Sequence, residues 1–333
     1  MIRTPKLEVA VALMAALLCL YAGHLQQAGY VYEDLTWQQM SQVRPSVLRP
    51  RGLTLAIWWL QQQVWSSPRL AHAINLVLHG LVVLSVYLLA SRFVSRRWAW
   101  LAASVVALHP LAVESVAYAA SRSELIAALG VVLMCWIAAG RWWRPHALVC
   151  GVMALLLGLA GKESAIVGLW LIPLVARQPP RWARFSRATA ATVAVLGLGG
   201  MVAAAQVGEA PGVHIGWADW LALQATAATR LFALTIVPVG QTIDYDYDAI
   251  PQIWRLLSIG CVTVLAGLTF WLWSRRRLVA MGLAWMLLVV LPRLIVQTPR
   301  SYLNEHQWYL ALVGWAFVVV GLVAPRTSWV RRG

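Results

Sequence analysis

A chain of 333 residues that is 61% hydrophobic and only 12% charged is not a soluble globular domain, in which roughly a quarter of residues carry charge. Apolar runs recur along the whole length, which excludes a single-span or signal-anchored protein. The formal net charge of +15 does not point to nucleic acid, because no basic run is interleaved with exposed aromatics. Lys and Arg of a membrane protein gather in its cytoplasmic loops instead.

The first run, Val9 to Tyr21, leads into Ala22-Gly23-His24, a poor cleavage signal, and reads as an uncleaved helix over 7–23. A span needs ~20 apolar residues, fewer or more with tilt. On that measure further spans are predicted over 70–90, 98–116, 123–140, 146–160, 164–176, 188–205, 253–273, 278–295 and 308–324. The pair 146–160 and 164–176 is short, either tilted or broken around Gly161-Lys162-Glu163-Ser164. Two segments between spans are long. In 24–69, Leu53 to Leu60 followed by three glutamines reads as a helix lying along the interface. In 206–252, the stretch Trp217 to Val237 is apolar but interrupted by Asp219, Gln224, Thr226, Thr229 and Arg230. Counting it as a span would put Asp244 to Asp248 inside and the Arg275 cluster outside, so it reads as interfacial or re-entrant.

The expected fold class is therefore all-α: one polytopic domain over 1–333, about ten membrane helices, no internal repeat and no soluble C-terminal domain. Many of the 20 tryptophans stand at span ends (Trp98, Trp100, Trp142, Trp143, Trp271, Trp273), where an amphipathic ring suits the headgroup layer. Cys19, Cys135, Cys150 and Cys261 lie inside apolar runs without metal-type spacing, and read as neither disulfides nor ligands.

With the N-terminus cytoplasmic, basic clusters recur on alternate loops: Arg3 and Lys6; Arg92, Arg96 and Arg97; Arg141 and Arg144; Arg177 to Arg187; Arg275 to Arg277; Arg326 to Arg332. Both termini are then inside. The acids separate: Glu33, Asp34, Glu114, Glu124, Glu163, Glu209, Asp219, Asp244, Asp246, Asp248 and Glu305 fall outside, and only Glu8 does not. Water-filled loops explain Glu209 and Asp219. They explain Glu114, Glu124 and Glu163 poorly, since ionisable groups in short connections near membrane depth usually face a polar cavity.

Four charged islands follow. Glu33-Asp34 could bind a metal, pair with a cation or act as a base. His109, Glu114, Arg122 and Glu124 crowd one hairpin. Lys162-Glu163 lies between the two short spans, and Asn304-Glu305-His306-Gln307 opens the last one. Arg122, Lys162 and His306 could gather around an anion such as a lipid phosphate. A structural ion-pair network is the competing account of the same residues.

In order along the chain, these pieces resemble the transmembrane O-mannosyltransferases that carry tetratricopeptide repeats, and their bacterial relatives, which are C-type glycosyltransferases. The matching pieces are Glu33-Asp34, Arg49-Pro50, Ala71 to His79 (with His72, Asn75 and His79 on one helical face), the hairpin His109 to Glu124, Ala160 to Ser164, Pro238 to Asp246 and Asn304 to Leu310. The likeness covers roughly 25–320. It departs at Glu33, where aspartate is commoner, at Gln307 in place of arginine, at Ala311 in place of proline, and in lacking the repeats.

The resemblance implies transfer of a sugar from a polyprenyl-phosphate donor to an acceptor hydroxyl of a protein or glycan on the outer face of the membrane. Asp34 with Glu33 would be the base, and Arg122 and Lys162, with His306, would bind the donor phosphate. His109, Glu114, Glu124, Glu163 and Glu305 would orient these groups and the sugar. The cofactor is open: Glu33 and Asp34 could hold a divalent metal, and C-type enzymes include metal-dependent and metal-independent members. The expected partners are the lipid-linked donor, the acceptor and membrane lipids. The expected location is a bacterial inner membrane with a periplasmic site. A transporter or flippase for a lipid-linked sugar is the alternative, although polar groups would then line both sides of the midplane.

Overall fold

The computed structural model describes residues 16–17, 19, 21–23, 29–30, 33–40, 51–140, 144–176, 215–242, 245, 250–295 and 303–325. Most of the first expected span, all of 188–205, Arg49-Pro50, Glu209, Asp244, Asp246 and Asp248 lie outside these residues, as does the Glu33 side chain. Among the described residues the chain is all-helical. The helices are α1 Glu33–Met40, α2 Gly52–Val64, α3 Pro68–Ala90, α4 Arg96–Leu108, α5 Ala112–Ala117, α6 Arg122–Ala138, α7 Pro145–Gly161 and α8 Val167–Val175. After them come α9 Trp217–Ile236, α10 Gln252–Trp273, α11 Arg277–Ile295 and α12 Ala311–Val323.

Four helical stretches are long and apolar enough to cross a membrane: Pro68–Ala90, Ala119–Ala138, Gln252–Trp273 and Arg277–Leu294. Three more, Pro145–Gly161, Glu163–Val175 and Ala311–Val323, are apolar but shorter. The expected span 98–116 is broken. Pro110 disfavours helical geometry at the preceding residue, and His109 is extended, with φ −69° and ψ 130°. The chain restarts as the short α5.

Helices approach closely where small residues face each other, as bundles in lipid require. A Cβ on Gly130 of α6 would lie 2.5 Å from the Ala154 carbonyl of α7, and one on Gly314 of α12 would lie 2.6 Å from the Gly282 carbonyl of α11. Around these contacts runs a continuous core that includes Val83, Val131, Trp285 and Phe317.

The bundle has two unlike ends. At one, α2 lies across the tips of other helices: Thr54 Oγ1 donates to the Gly161 carbonyl (3.1 Å), and Gln61 is hydrogen-bonded to the first residue of α6. Helix α9 does the same. Trp220 Nε1 in its first turn donates to the Arg293 carbonyl near the end of α11 (3.0 Å), and Trp308 Nε1, just before α12, donates to Thr235 Oγ1 in its last turn (2.8 Å). Both ends of α9 are thus tied to one end of the bundle, about 22 Å apart along its axis, the arrangement expected of an interfacial helix. The other end carries the turns 91–95 and 274–276, with Arg92, Arg96 and Arg97 at the first and Arg275, Arg276 and Arg277 at the second.

Candidate functional site

The site is built around residues 119–128. Arg122, the first residue of α6, is fully buried. Its Nε donates to Asn75 Oδ1 (3.1 Å), and its Nη2 donates to Gln61 Oε1 (3.0 Å) and the Ala71 carbonyl (3.1 Å). Its guanidinium lies 4.7 Å from the centre of the Trp58 ring. Three elements thereby meet on one cation: α2 through Trp58 and Gln61, α3 through Ala71 and Asn75, and α6 itself. Asn75 also donates Nδ2 to the Tyr118 carbonyl (3.0 Å), and Gln61 donates Nε2 to the Tyr30 hydroxyl (3.1 Å). Burial pushes the Tyr30 phenol above its ordinary range. The expected polar face of the second span is present: His72, Asn75 and His79 are all buried, as their spacing along a 3.6-residue helix requires. Two residues before Arg122, the Ala120 N–H donates to Oδ1 of buried Asp34 at 2.6 Å.

Beside this packing lies a cavity of about 130 Å³. Its polar lining residues are Arg51, Lys162, Arg293, Glu124, Glu163, Ser164 and Gln307, and its apolar ones are Ala127, Ala128, Val167, Val289, Pro292 and Leu310. Two of the cations are steadied by carboxylates. Lys162 pairs with Glu124. Arg51 forks onto Glu163, with Nη2 to Oε1 at 2.8 Å and Nε to Oε2 at 3.3 Å. Burial raises the Glu163 carboxyl, but the Arg51 guanidinium outweighs it and holds the group at about 2. Arg51 reaches the cavity from an uncommon backbone conformation, φ 58° and ψ 25°. It is the one described non-glycine residue in the left-handed region. Such a residue costs of order 1–3 kcal/mol and persists where surrounding contacts impose it.

A second cluster sits at the start of the last helix. Glu114 accepts the His306 backbone N–H on Oε2 and pairs through Oε1 with His306 Nδ1, both at 2.8 Å. Ser115 Oγ donates to the His306 carbonyl (3.2 Å). Glu305 is buried and takes three donors: Gln241 Nε2 (2.7 Å), the Thr242 N–H (3.0 Å) and the Tyr245 hydroxyl (2.5 Å). Burial, with the Glu305 carboxylate as acceptor, pushes the Tyr245 phenol well up. Residues 305–308 therefore do four jobs in succession: Glu305 pins the 241–245 segment, His306 is clamped by Glu114, Gln307 faces the cavity, and Trp308 fixes α9.

Of the cations expected to share a phosphate, only Lys162 lines the cavity. Arg122 lies outside the cavity lining, with its guanidinium against Asn75, Gln61, Ala71 and Trp58. His306 is engaged by Glu114 and does not line the cavity. Glu124 and Glu163 do line it, as partners of its cations. His109 is committed elsewhere. Its Nδ1 accepts the Leu111 N–H (3.2 Å), so the proton sits on Nε2, which donates to the Thr235 carbonyl (3.0 Å). Glu305 likewise serves the 241–245 segment. Asp34 is buried against Ala120 and absent from the cavity wall.

Arg51 and Arg293 are cavity residues that the sequence reading passed over. Arg293 carried a usable signal, since a charged residue within an apolar span marks a site by default. Arg51 carried none, because its position depends on a backbone turn that arginine rarely makes. Among the described residues, no three His, Cys, Asp or Glu gather into a group that could hold a metal ion. No protein-family model, curated protein or solved structure matches the chain.

Proposed function

We propose that this chain is a polytopic membrane glycosyltransferase of the C type, which transfers a sugar from a polyprenyl-phosphate donor to an acceptor hydroxyl of a protein or glycan. The observation that carries the reading is the cavity, whose lining combines three cations with six apolar residues. A phosphate esterified to a long hydrocarbon needs both. Arg51 and Arg293 present planar guanidinium forks and Lys162 a compact charge, and Glu124 and Glu163 offset two of the three charges until the donor arrives. In this reading the bundle has about ten membrane helices, and the cavity lies at the outer, periplasmic end of a bacterial inner membrane.

The acceptor oxygen attacks the anomeric carbon while the bond from that carbon to the phosphate oxygen breaks. The bonding electrons leave with the phosphate, and configuration inverts. The hydroxyl proton passes to a carboxylate, assigned to Asp34 with Glu33 beside it in sequence. Asp34 does not itself line the cavity; the Ala120 N–H holds it two residues before α6, whose first turn carries Glu124 on the cavity wall. Negative charge grows on the departing phosphate, where Lys162, Arg51 and Arg293 stabilise it. Arg122 keeps α2 in place, and Arg51 is the residue that immediately precedes α2.

The test uses purified protein in nanodiscs, polyprenyl-phosphate sugars (mannose, another hexose, a pentose) and a peptide or glycan acceptor. Wild type should transfer one of them. Asp34→Asn should abolish transfer while leaving donor binding, and Lys162→Met should raise KM for donor. Full activity in Asp34→Asn would remove the base assignment. Movement of the lipid-linked sugar across liposomes without transfer would replace the enzyme with a transporter.

A further inference from the structure

The end of the bundle opposite the cavity carries exposed positive charge without described counter-charge. Arg96 and Arg97 follow the turn after α3, Arg276 ends the turn before α11 and Arg277 opens that helix; all four are exposed. None forms an ion pair with a described carboxylate. The carboxylates of Asp34, Glu114, Glu124, Glu163 and Glu305 all sit at the cavity end.

The two turns flank one structure. Phe93 packs edge-on against Phe317 of α12 (5.7 Å between centroids), and a Cβ on Gly321 of α12 would lie 2.8 Å from Val279 Cγ2 of α11. The last turns of α12 are therefore a shared wall between them. Tryptophans stand beside the arginines. Arg97 lies 5.3 Å from the Trp98 ring, Arg277 5.9 Å from the Trp273 ring, and Arg275 4.2 Å from the Trp271 ring. Trp98 Nε1 is also a buried N–H without a hydrogen-bond acceptor.

We propose that this end is a binding site for anionic phospholipid headgroups, formed by the two arginine turns on either side of α12. Indole rings set the depth of the headgroup layer, and stacking on them holds two of the guanidiniums at that depth with less freedom to lose. Within each pair the two adjacent cations repel one another unless an anion joins them. A phosphate diester accepts two parallel N–H bonds from a guanidinium fork. Each such charge near an anionic surface contributes roughly a fivefold preference over a neutral one. The proposal rests on charge and packing at this end alone and does not depend on the transferase reading.

The thermal midpoint of the full chain in a neutral detergent is measured while either phosphatidylglycerol or phosphatidylcholine is added. A lipid that binds the folded state raises the midpoint. Wild type should rise with phosphatidylglycerol and not with phosphatidylcholine, and the rise should vanish near ~1 M salt, where charges are screened beyond about 3 Å. It should persist in Lys162→Met, whose lesion is in the cavity, and be lost in Arg96→Gln/Arg97→Gln/Arg276→Gln/Arg277→Gln. Should that fourfold variant fail to fold, Arg276→Gln/Arg277→Gln and the wild-type salt series decide. Equal response to both lipids, a rise that survives high salt, or loss in Lys162→Met alone would overturn the proposal.

Discussion

Replacing Arg122 with methionine tests whether one buried guanidinium holds α2, α3 and α6 together. The substitution keeps length and apolar volume but removes every donor. Asn75 Oδ1, Gln61 Oε1 and the Ala71 carbonyl lose their partners, and each buried acceptor left unsatisfied costs about 1–3 kcal/mol. The Trp58 contact at 4.7 Å adds about 0.5–2 kcal/mol. These terms do not sum, because Asn75 and Gln61 keep bonds to the Tyr118 carbonyl and the Tyr30 hydroxyl and will partly rearrange. The wild-type guanidinium is itself imperfectly satisfied, since its Nη1 is buried without an acceptor. The expected loss is about 3–5 kcal/mol, the lower part of what three stranded neutral acceptors and the lost ring contact would sum to, after that rearrangement. That shifts the unfolding equilibrium by more than about a hundredfold. Arg122→Lys should fall between, since a single ammonium cannot span three acceptors and also stack on indole. Unfolding in mixed micelles, followed by tryptophan fluorescence, measures all three proteins. If Arg122→Met stays within about 0.5 kcal/mol of wild type, the ordinary range for a surface change, the guanidinium does not hold these helices and the packing role is wrong.

Two other outcomes follow from close packing and from the Arg51–Glu163 clasp. Gly130→Ala puts a methyl against the α7 backbone and should destabilise by about 1–3 kcal/mol. Gly260→Ala, where no atom lies within 4 Å, should stabilise α10 by about 0.5–1 kcal/mol, and equal effects on the same unfolding curve would show that the glycine contacts are not tight. The Glu163 carboxyl, held at about 2 against an ordinary 4.5, takes up its proton more readily in the unfolded chain. Its contribution is therefore complete above the ordinary value and lost as pH falls from there toward 2. Thermal midpoints should decline more steeply over that window in wild type than in Glu163→Gln, modestly so because the side chain is 45% exposed; parallel curves would remove the ion pair from the account.

A helix at 53–63 was legible because an apolar run ending in three glutamines is too short and too polar-tipped to cross lipid, and it is α2. The break at His109 was not read from sequence, although Pro110 gave the reason for it. The residues His109, Glu114, Arg122 and Glu124 crowd one stretch of sequence, yet they go separate ways in the structure. His109 fixes α9, Glu114 clamps His306, Arg122 disappears into packing, and only Glu124 faces the cavity.

Composition and charge order by themselves determined a helical chain with membrane-length apolar segments, two unlike ends and a concentration of ionisable groups at one of them. These follow from one-dimensional facts, namely how many apolar residues run together and which charges fall between the runs. Tertiary structure alone decided which charges meet. Arg51 joins Glu163 across 112 positions of sequence, and Arg122 joins Gln61 across 61. Whether a cation ends in a cavity or in a closed packing shell depends on the angle at which α2 crosses the helix tips. That angle is set by contacts between distant segments, and no local pattern of residues records it.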